Sequence, residues 1–531
     1  MILINQLHLT IDEPLANLRG HIAERLHLAP DAFSYTILKE SLDARRRETP
    51  RFSYQVAVEA PLGEKKVRAL RDKNITWHPS PAEEPPVTPG DEPLEGRPII
   101  VGAGPAGLFA AYVLAEHGYA PLLLEQGQAV PERTAQVDRF WQDGTLDLQS
   151  NVQFGEGGAG TFSDGKLTSR SKNPLGRKVN EIFAAHGAPE EITYQAKPHI
   201  GTDLLKNVIV SMREQIVRAG GEVRFGVSVE RLLLSDHAVR GVATNVGDFY
   251  SNVVLLAIGH SSRALFRTLH AQGLAMEAKP FAVGFRIEHP QTLIDRVQYR
   301  EYAGHPRLGA ASYQLTWHDD IRDRGCYTFC MCPGGQVVAA ASETGRLVVN
   351  GMSYHARDLE NANSALLANV GTNDFGSGVL DGILFQERIE AACYALGGGG
   401  YVAPVQTVAD FLRGETSREL GAVRPSVRPG YTLSDLSGLY PNTITDSLRA
   451  AIGGMAKRLH GFDQADAVLT GVETRSSSPV RLLRDKQTRE SLNVQGLYPI
   501  GEGAGYAGGI VSSAIDGIAC AETIIRHFCV Q

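Results

Sequence analysis

A chain of 531 residues with 43% hydrophobic and 21% charged residues is long enough for two or three domains and apolar enough for large cores. Its formal charge of −7 gives no global basic field for nucleic acid, and six cysteines without C-x-x-C spacing exclude a disulfide framework, a thioredoxin-like motif and a zinc ribbon. The opening MILINQLHLTIDEPL lacks the basic and apolar regions of a signal peptide, and no apolar run reaches the length of about eighteen residues that a membrane span needs. A cytoplasmic protein without membrane contact is expected.

The first 78 residues read as six elements. ILINQLHLTI alternates as a half-buried strand does. Asp12 is placed to cap a helix with Pro14 in its first turn, and Leu15, Leu18, Ile22 and Leu26 then share one apolar face. FSYTILKESL and RFSYQVAVEA alternate as two more strands, GEKKVRALRD reads as a short helix, and NITWH as a last strand. The order βαββαβ is that of the ferredoxin-like split βαβ unit. The run DARRR at 43–47 reads as a solvated turn; RNA recognition would want aromatics on both central strands, and the first strand has none. Residues 79–98, PSPAEEPPVTPGDEPLEGRP, hold seven prolines and four glutamates. Such a segment forms no core, so 79–97 is expected to be an extended linker that leaves the first module few contacts with the rest.

Three segments match the pattern G-x-G-x-x-G: GAGPAG at 102–107, GEGGAG at 155–160 and GAGYAG at 503–508. Only the first has the whole context of a dinucleotide site. The buried strand PIIV leads into Gly102, Gly104 and Gly107, the apolar helix LFAAYVLAEHG follows, and APLLLE supplies a second strand ending at Glu125. Gly102 permits the tight turn, Gly104 the close approach of a pyrophosphate, and Gly107 the packing of helix on strand. Pro105 and Ala106 open a helix whose free N–H groups suit phosphate. Glu125, eighteen residues beyond Gly107, is placed to accept a hydrogen bond from a ribose hydroxyl.

The second match, with Gly158 and Gly160, runs into Ser163, Asp164 and Gly165, which break a helix; it reads as a loop that something flat approaches closely. The third follows a strand that delivers Gly501 and Glu502, then starts a helix at Gly508 and Gly509. The positive end of that helix suits the charge of a reduced flavin. FYSNVVLLAIGHSSR is a further buried strand, ending in the turn Ala257-Ile258-Gly259. The texture changes over 271–465, where strands such as PFAVGFRIEH alternate with helices such as LFQERIEAACYAL. The expected architecture is α/β: a Rossmann-like FAD-binding domain (98–270 and 466–531) split by an inserted, mixed α+β substrate domain (271–465), plus the small N-terminal ferredoxin-like module (1–78).

The first glycine motif with its acid, the turn at 257–259 and GLYPIGEGAGYAGGI together resemble two-dinucleotide-fold FAD enzymes of the glutathione-reductase type. More closely, SLDARRR, FGEGGAGTFSDGKL, FRIEHPQ, FCMCPGG, NGMS and ETRSSSPVRLLR resemble a bacterial family of largely uncharacterised FAD-dependent dehydrogenases with a ferredoxin-like N-terminal extension. The resemblance implies FAD as the cofactor. It puts Gly102, Gly104 and Gly107 at the pyrophosphate, Glu125 at the adenine ribose and Val229 at the adenine. Gly501 and Glu502 would reach the pyrophosphate and ribityl chain, and Gly509 and Ile510 the pyrimidine edge. Gly259 belongs to the second landmark. Many relatives of this class carry aspartate where Glu502 stands.

The expected function is that of an FAD-dependent oxidoreductase exchanging hydride between NAD(P)H, as a transient co-substrate, and a small-molecule substrate. No second complete dinucleotide unit exists to hold the nicotinamide nucleotide. Two alternatives stand beside this: an RNA-modifying flavoprotein, which the negative charge disfavours, and a non-catalytic FAD-binding or sensing protein. Candidate catalytic groups are Lys166, His289, Cys330 and Cys332. On a regular strand the two cysteines share a face, turned either to the cofactor or, inert, to the core. Arg286, Arg475 and Arg481 are candidates for holding an anionic substrate, with a salt-bridged structural role as the other reading. No metal site is expected, since no histidine lies near the cysteines at ligand spacing.

Overall fold

The structure, a computed structural model, describes residues 1–45, 49–79, 86–168 and 173–530. Two arginines of the 43–47 run and residues 80–85 of the proline-rich segment thus lie outside the described residues.

In the N-terminal module, strands Ile2–Thr10, Ser34–Asp43, Arg51–Glu59 and Ile75–Trp77 form an antiparallel sheet in the order second, third, first, fourth. The first strand buries Ile2, Ile4, Leu7 and Leu9; a bulge at Gln6 (φ 53°) shifts the alternation by one residue and keeps all four on the core side. The helix Leu18–Leu26 buries Leu18, Ile22 and Leu26, whereas Leu15 lies in a preceding turn and is exposed. Asp12 does not cap this helix; its carboxylate lies 3.2 Å from His305 of the inserted domain.

The second domain is built on five parallel strands in the order Leu497–Pro499, Val254–Leu256, Ile99–Val101, Leu122–Leu124, Glu222–Arg224. The inner strands are apolar throughout because helices and a three-stranded meander (Val229–Ser235, Ala238–Thr244, Gly247–Tyr250) cover the two faces. On one face the helices Pro105–Glu116 and Ile510–His527 pack together, so the two ends of the domain's chain meet in one core.

The inserted domain carries a seven-stranded sheet in the order Thr316–Asp319, Arg324–Cys332, Asn361–Val370, Phe281–Pro290, Val468–Glu473, Ala403–Thr407, Tyr431–Leu433, antiparallel except for the last pair. The helices Asp381–Leu396 and Asn442–Ala456 pack against it. One expected boundary is corrected. Val468–Glu473, assigned from sequence to the C-terminal part of the FAD-binding domain, is hydrogen-bonded between Phe281–Pro290 and Ala403–Thr407 inside this sheet. The chain crosses between domains where Met276–Ala278 pairs antiparallel with Val480–Leu482.

The linker expectation is also corrected. Its second half is docked: the Gly90 N–H donates to the Ile525 carbonyl (2.9 Å), and Glu92–Pro93 pairs in parallel with Phe528–Cys529. Nor is the first module loosely held, because its apolar core is continuous with that of the inserted domain. Arg307 of the inserted domain donates to the carbonyls of Thr10, Ile11 and Glu13, and its guanidinium sits 4.5 Å from the Phe52 ring centre. On the other side, Glu40 exchanges backbone hydrogen bonds with Tyr194 and Ala196 (2.7 and 2.8 Å). Among the described residues no helix is long and apolar enough to cross a membrane.

Shared burial makes the module part of the folded unit. Deleting residues 1–78 is therefore expected to lower the thermal midpoint or leave insoluble protein, and Arg307→Ala alone to cost about 1–3 kcal/mol in urea unfolding. Unchanged melting of the truncated protein would show that the module is a passenger.

Candidate active-site cleft

Gly102, Glu125, Ala257 and Gly501 each follow the C-terminal end of a parallel strand, and all four line one cleft of about 1280 Å³ facing the inserted sheet. Ligands of open α/β sheets bind at such an edge. The volume exceeds the ~300–1,000 Å³ usual for a single small ligand.

The three glycine segments converge here. A Cβ at Gly158 would lie 3.0 Å from the Gly104 Cα, and one at Gly160 would lie 3.1 Å from the Ile510 side chain. The second motif thus fills the space between the first and third. Gly107 plays a different part from that implied by the resemblance. It lies behind the cleft, where a Cβ would collide with the Gly102 carbonyl, so its absence lets the helix Pro105–Glu116 seat on the sheet. Gly509 caps the helix Ile510–His527 with φ 130°, and a Cβ there would project into open space. That leaves the first-turn N–H groups of an 18-residue helix facing the cleft.

Glu125 is buried and already engaged. One oxygen accepts from the Ala103 N–H (2.8 Å), the other from Gly127 and Gly155 (2.9 Å each). It therefore ties the first two glycine segments together while lining the cleft beside Val227, Ser228 and Val229. Glu502 is half-buried in the cleft wall with no hydrogen bond to its carboxylate among the described residues. Desolvation pushes this carboxyl up to about 7, with Lys279 opposing. His260, beside the turn at Gly259, is held neutral: burial, Arg475 and Arg263 push its imidazole down to about 3.

The loop 151–160 owes its shape to Arg133, which lies in the apolar stripe Val130, Arg133, Val137, Phe140 of the helix Val130–Asp143. Its guanidinium donates to the carbonyls of Asn151, Val152, Glu156 and Gly158 at 2.6–3.0 Å. Gly155 must be glycine, since a Cβ would run into the Arg133 side chain.

At the floor, Glu390 is completely buried between Arg263 and Arg475 and also accepts from the Thr474 hydroxyl. Arg475 lines the cleft, but all five of its N–H groups are taken, by Glu390, Glu343, Ser261 and Ser342. It has no donor left for a substrate. Arg286 lies beneath the cleft surface, fully buried, and donates to Glu473 (2.9 Å), the Cys330 carbonyl (2.8 Å) and Asn363 (2.6 Å). Arg481 sits outside the cleft on the interdomain ribbon, paired with Glu277 at 3.0 Å. His289 is likewise elsewhere, fully buried against Phe462 with its ring N–H directed to that residue's carbonyl, and burial pushes it down to about 4.

Cys330 and Cys332 do not share a face. A bulge after Phe329 breaks the alternation, and Cys330 takes φ 42°. Both border the cleft, Cys330 exposed and Cys332 buried, the Cys332 thiol directed to the Cys330 carbonyl at 3.2 Å. The walls around Cys330 desolvate its thiol and push it up to about 12, with Lys166 opposing; it is a poor nucleophile at neutral pH. Lys166 also lines the cleft, on a short antiparallel bridge to His199. Sequence reasoning missed Arg133, Asp164, His260, Tyr313 and Arg357. Arg133 carried a signal, a lone arginine within an apolar helix stripe; Asp164 and Arg357 are paired by loops 193 residues apart in sequence.

Two outcomes follow from the cleft. Gly509→Val puts a branched side chain, at an unfavourable φ, into open space at the helix end; bound FAD per chain is expected to fall by at least tenfold in the purified protein, while melting without cofactor shifts by only about 1–3 kcal/mol. Full FAD content would remove the helix end from the site. For Glu502 the folded-state affinity for the proton exceeds the unfolded one. Cofactor-free protein should therefore lose stability as pH rises from about 4.5 to about 7, then level off. Urea midpoints across that range should fall in wild type relative to Glu502→Gln; parallel curves would place Glu502 in water.

Residues 280–476 match the family described as FAD-dependent protein, C-terminal domain-like. Residues 100–149 match the NAD(P)-binding Rossmann-like domain, and residues 1–59 a domain of unknown function (DUF8436). An uncharacterized protein of Clostridium beijerinckii is 47% identical over 527 residues, covering 99% of this chain and 98% of that one. Protein FixC of Shigella flexneri is 29% identical over 219 residues, 40% of this chain and 48% of FixC. Among solved structures, glycine oxidase from Geobacillus kaustophilus is 12% identical with a TM-score of 0.35, covering 81% of this chain and 94% of that one. With a relative this similar from end to end and an FAD-dependent match across the inserted domain, the chain belongs to the family of FAD-dependent proteins that includes the Clostridium beijerinckii protein.

Proposed function

We propose that the protein is an FAD-dependent oxidoreductase that exchanges hydride between NAD(P)H and a small molecule within this cleft. The observation that carries the proposal is the convergence of three glycine segments and two helix N-termini on one cavity. The residues present fit FAD: Gly508 and Gly509 leave open space, and the first turns of Pro105–Glu116 and Ile510–His527 offer unpaired N–H groups. Gly102, Gly104, Pro105 and Ala106 would hold the phosphates, Glu125 and Val229 the adenosine end, and Gly158, Gly160, Gly259, Gly501, Glu502, Gly508, Gly509 and Ile510 the flavin end.

Bound FAD would supply hydride exchange, and the protein's part is to bind, orient and tune it. The positive end of Ile510–His527 favours negative charge placed against it. A carboxyl at Glu502 that is half protonated near neutral pH spares that region a full opposing charge. The inserted sheet walls the cleft from the other side. The nicotinamide nucleotide would enter the remaining volume, since the described residues form no second dinucleotide unit. With six free cysteines and net negative charge, we place the protein in the cytoplasm, acting on a small molecule and not on nucleic acid.

Protein purified without added cofactor should release about one FAD per chain on denaturation, and anaerobic mixing with NADPH or NADH should bleach the flavin absorbance. Release of FMN or NAD would overturn the cofactor; FAD that neither nucleotide bleaches would overturn the donor.

A further inference from the structure

The polar character of the cleft wall changes along its length. At the first glycine segment and at the helix end by Gly509 it presents N–H donors. Between them it presents acceptors, at the ends of the neighbouring strands Val254–Leu256 and Leu497–Pro499. These strands run in parallel with Leu256 opposite Pro499, and their chains stay in contact beyond the sheet: a Cβ at Gly503 would lie 2.5 Å from the Gly259 carbonyl oxygen. His260 follows Gly259, Glu502 precedes Gly503, and both border the cleft.

The protons around His260 can be counted. The Gln153 side-chain N–H donates to the Ala340 carbonyl (3.1 Å), which turns the Gln153 oxygen to Ser261. The Ser261 hydroxyl spends its one proton on that oxygen, also at 3.1 Å. Ser261 Oγ accepts from Arg475 Nη1 (3.0 Å), so His260 Nδ1, 2.9 Å from the same oxygen, carries the ring proton. Burial and the guanidiniums of Arg475 and Arg263 keep a second proton off the ring. Nε2 is therefore a lone pair. It has no partner among the described residues and is not sealed from solvent, His260 being half-buried in the cleft wall. Glu502 is alike: its carboxylate lacks a donor, and Lys279 is held by the Ser477 hydroxyl and the Ser478 carbonyl.

We propose that His260 and Glu502 form an acceptor pair for neighbouring hydroxyls of a sugar-alcohol chain, with His260 Nε2 holding one hydroxyl of the ribityl chain of FAD. Phosphate oxygens only accept, so this stretch of wall repels them; hydroxyls donate and fit it. Donors at Gly102–Ala106, acceptors at His260 and Glu502, and donors again at Gly509 follow the order phosphate, polyol, flavin edge. His260 thus fixes where the ribityl chain lies and which way the cofactor runs. This rests on the proposed cleft as the site of FAD.

The test frees full-length protein of cofactor and titrates it, by flavin fluorescence, with FAD and with three analogues lacking the 2′-, 3′- or 4′-hydroxyl of the ribityl chain. Wild type should bind one analogue several-fold to about tenfold more weakly than FAD, the worth of one neutral hydrogen bond. His260→Phe should lose the same factor for FAD and no longer distinguish that analogue. His260→Gln, which keeps an acceptor, should recover most of the affinity and the discrimination. In wild-type protein labelled with nitrogen-15 at histidine, Nε2 of His260 should give an unprotonated signal that shifts when FAD binds. The proposal is overturned if that nitrogen is protonated in the free protein or unmoved by FAD, or if His260→Phe binds FAD as wild type does. It is also overturned if His260→Phe loses affinity yet distinguishes the analogues as wild type does, the mark of a merely structural effect. Wild-type protein that binds no FAD would instead overturn the cleft as the cofactor site.

Discussion

Everything in the cleft depends on how the two large domains are held against each other, and that is set by one buried carboxylate. Glu390 comes from a helix of the inserted domain, Arg263 from the first helix after the Gly259 turn, and Arg475 from the returning chain crossing. The two guanidiniums and the Thr474 hydroxyl give its oxygens five hydrogen bonds at 2.6–3.0 Å. Removing one member of such a buried set typically costs about 3–5 kcal/mol, because the others are stranded in low dielectric. The arginines hold the Glu390 carboxyl well below the usual range, so the clamp stays ionised into acid. A cleft whose walls belong to different domains needs such a fixed joint to keep a cofactor-sized gap in register.

Within that frame the glycine segments divide the work. The first supplies a strand–turn–helix with free N–H groups, the third a helix end, and the second a loop threaded between them. That loop holds a few turns of its own, with the Asn151 N–H on the Phe154 carbonyl and the Gly158 N–H on that of Gly155. Its shape is imposed by Arg133, which satisfies four of its carbonyls, and by Glu125, which accepts from its Gly155 N–H. A floppy glycine-rich stretch becomes a rigid wall through two buried charged side chains.

The local elements were legible in the sequence because their patterns are local. PIIV, APLLLE and NVVLLA are continuous apolar runs, and each became a central parallel strand. What failed depended on distant partners. Val468–Glu473 looks like a strand in isolation, and only its pairing with Phe281–Pro290 shows which domain owns it. The alternation of FCMC implied one face for both cysteines; the bulge that separates them is stabilised by Arg286, forty-four residues away in sequence. Proline and glutamate suggested a free linker, yet the segment near Gly90 finds an edge at the C-terminal Phe528–Cys529 that no composition argument reveals. Arginines are the hardest to read, since Arg475 and Arg286 resemble anion-binding residues until their partners are counted.

The most direct measurement is a crystal structure of the protein purified with its own cofactor. The expected density is that of one FAD running from the Gly102–Gly104 turn, past the loop at Gly158–Gly160, to the helix end at Gly509, with the inserted sheet facing it. FAD bound anywhere else, or an empty cleft in crystals of yellow protein, would contradict the convergence of the three glycine segments on a single cofactor site.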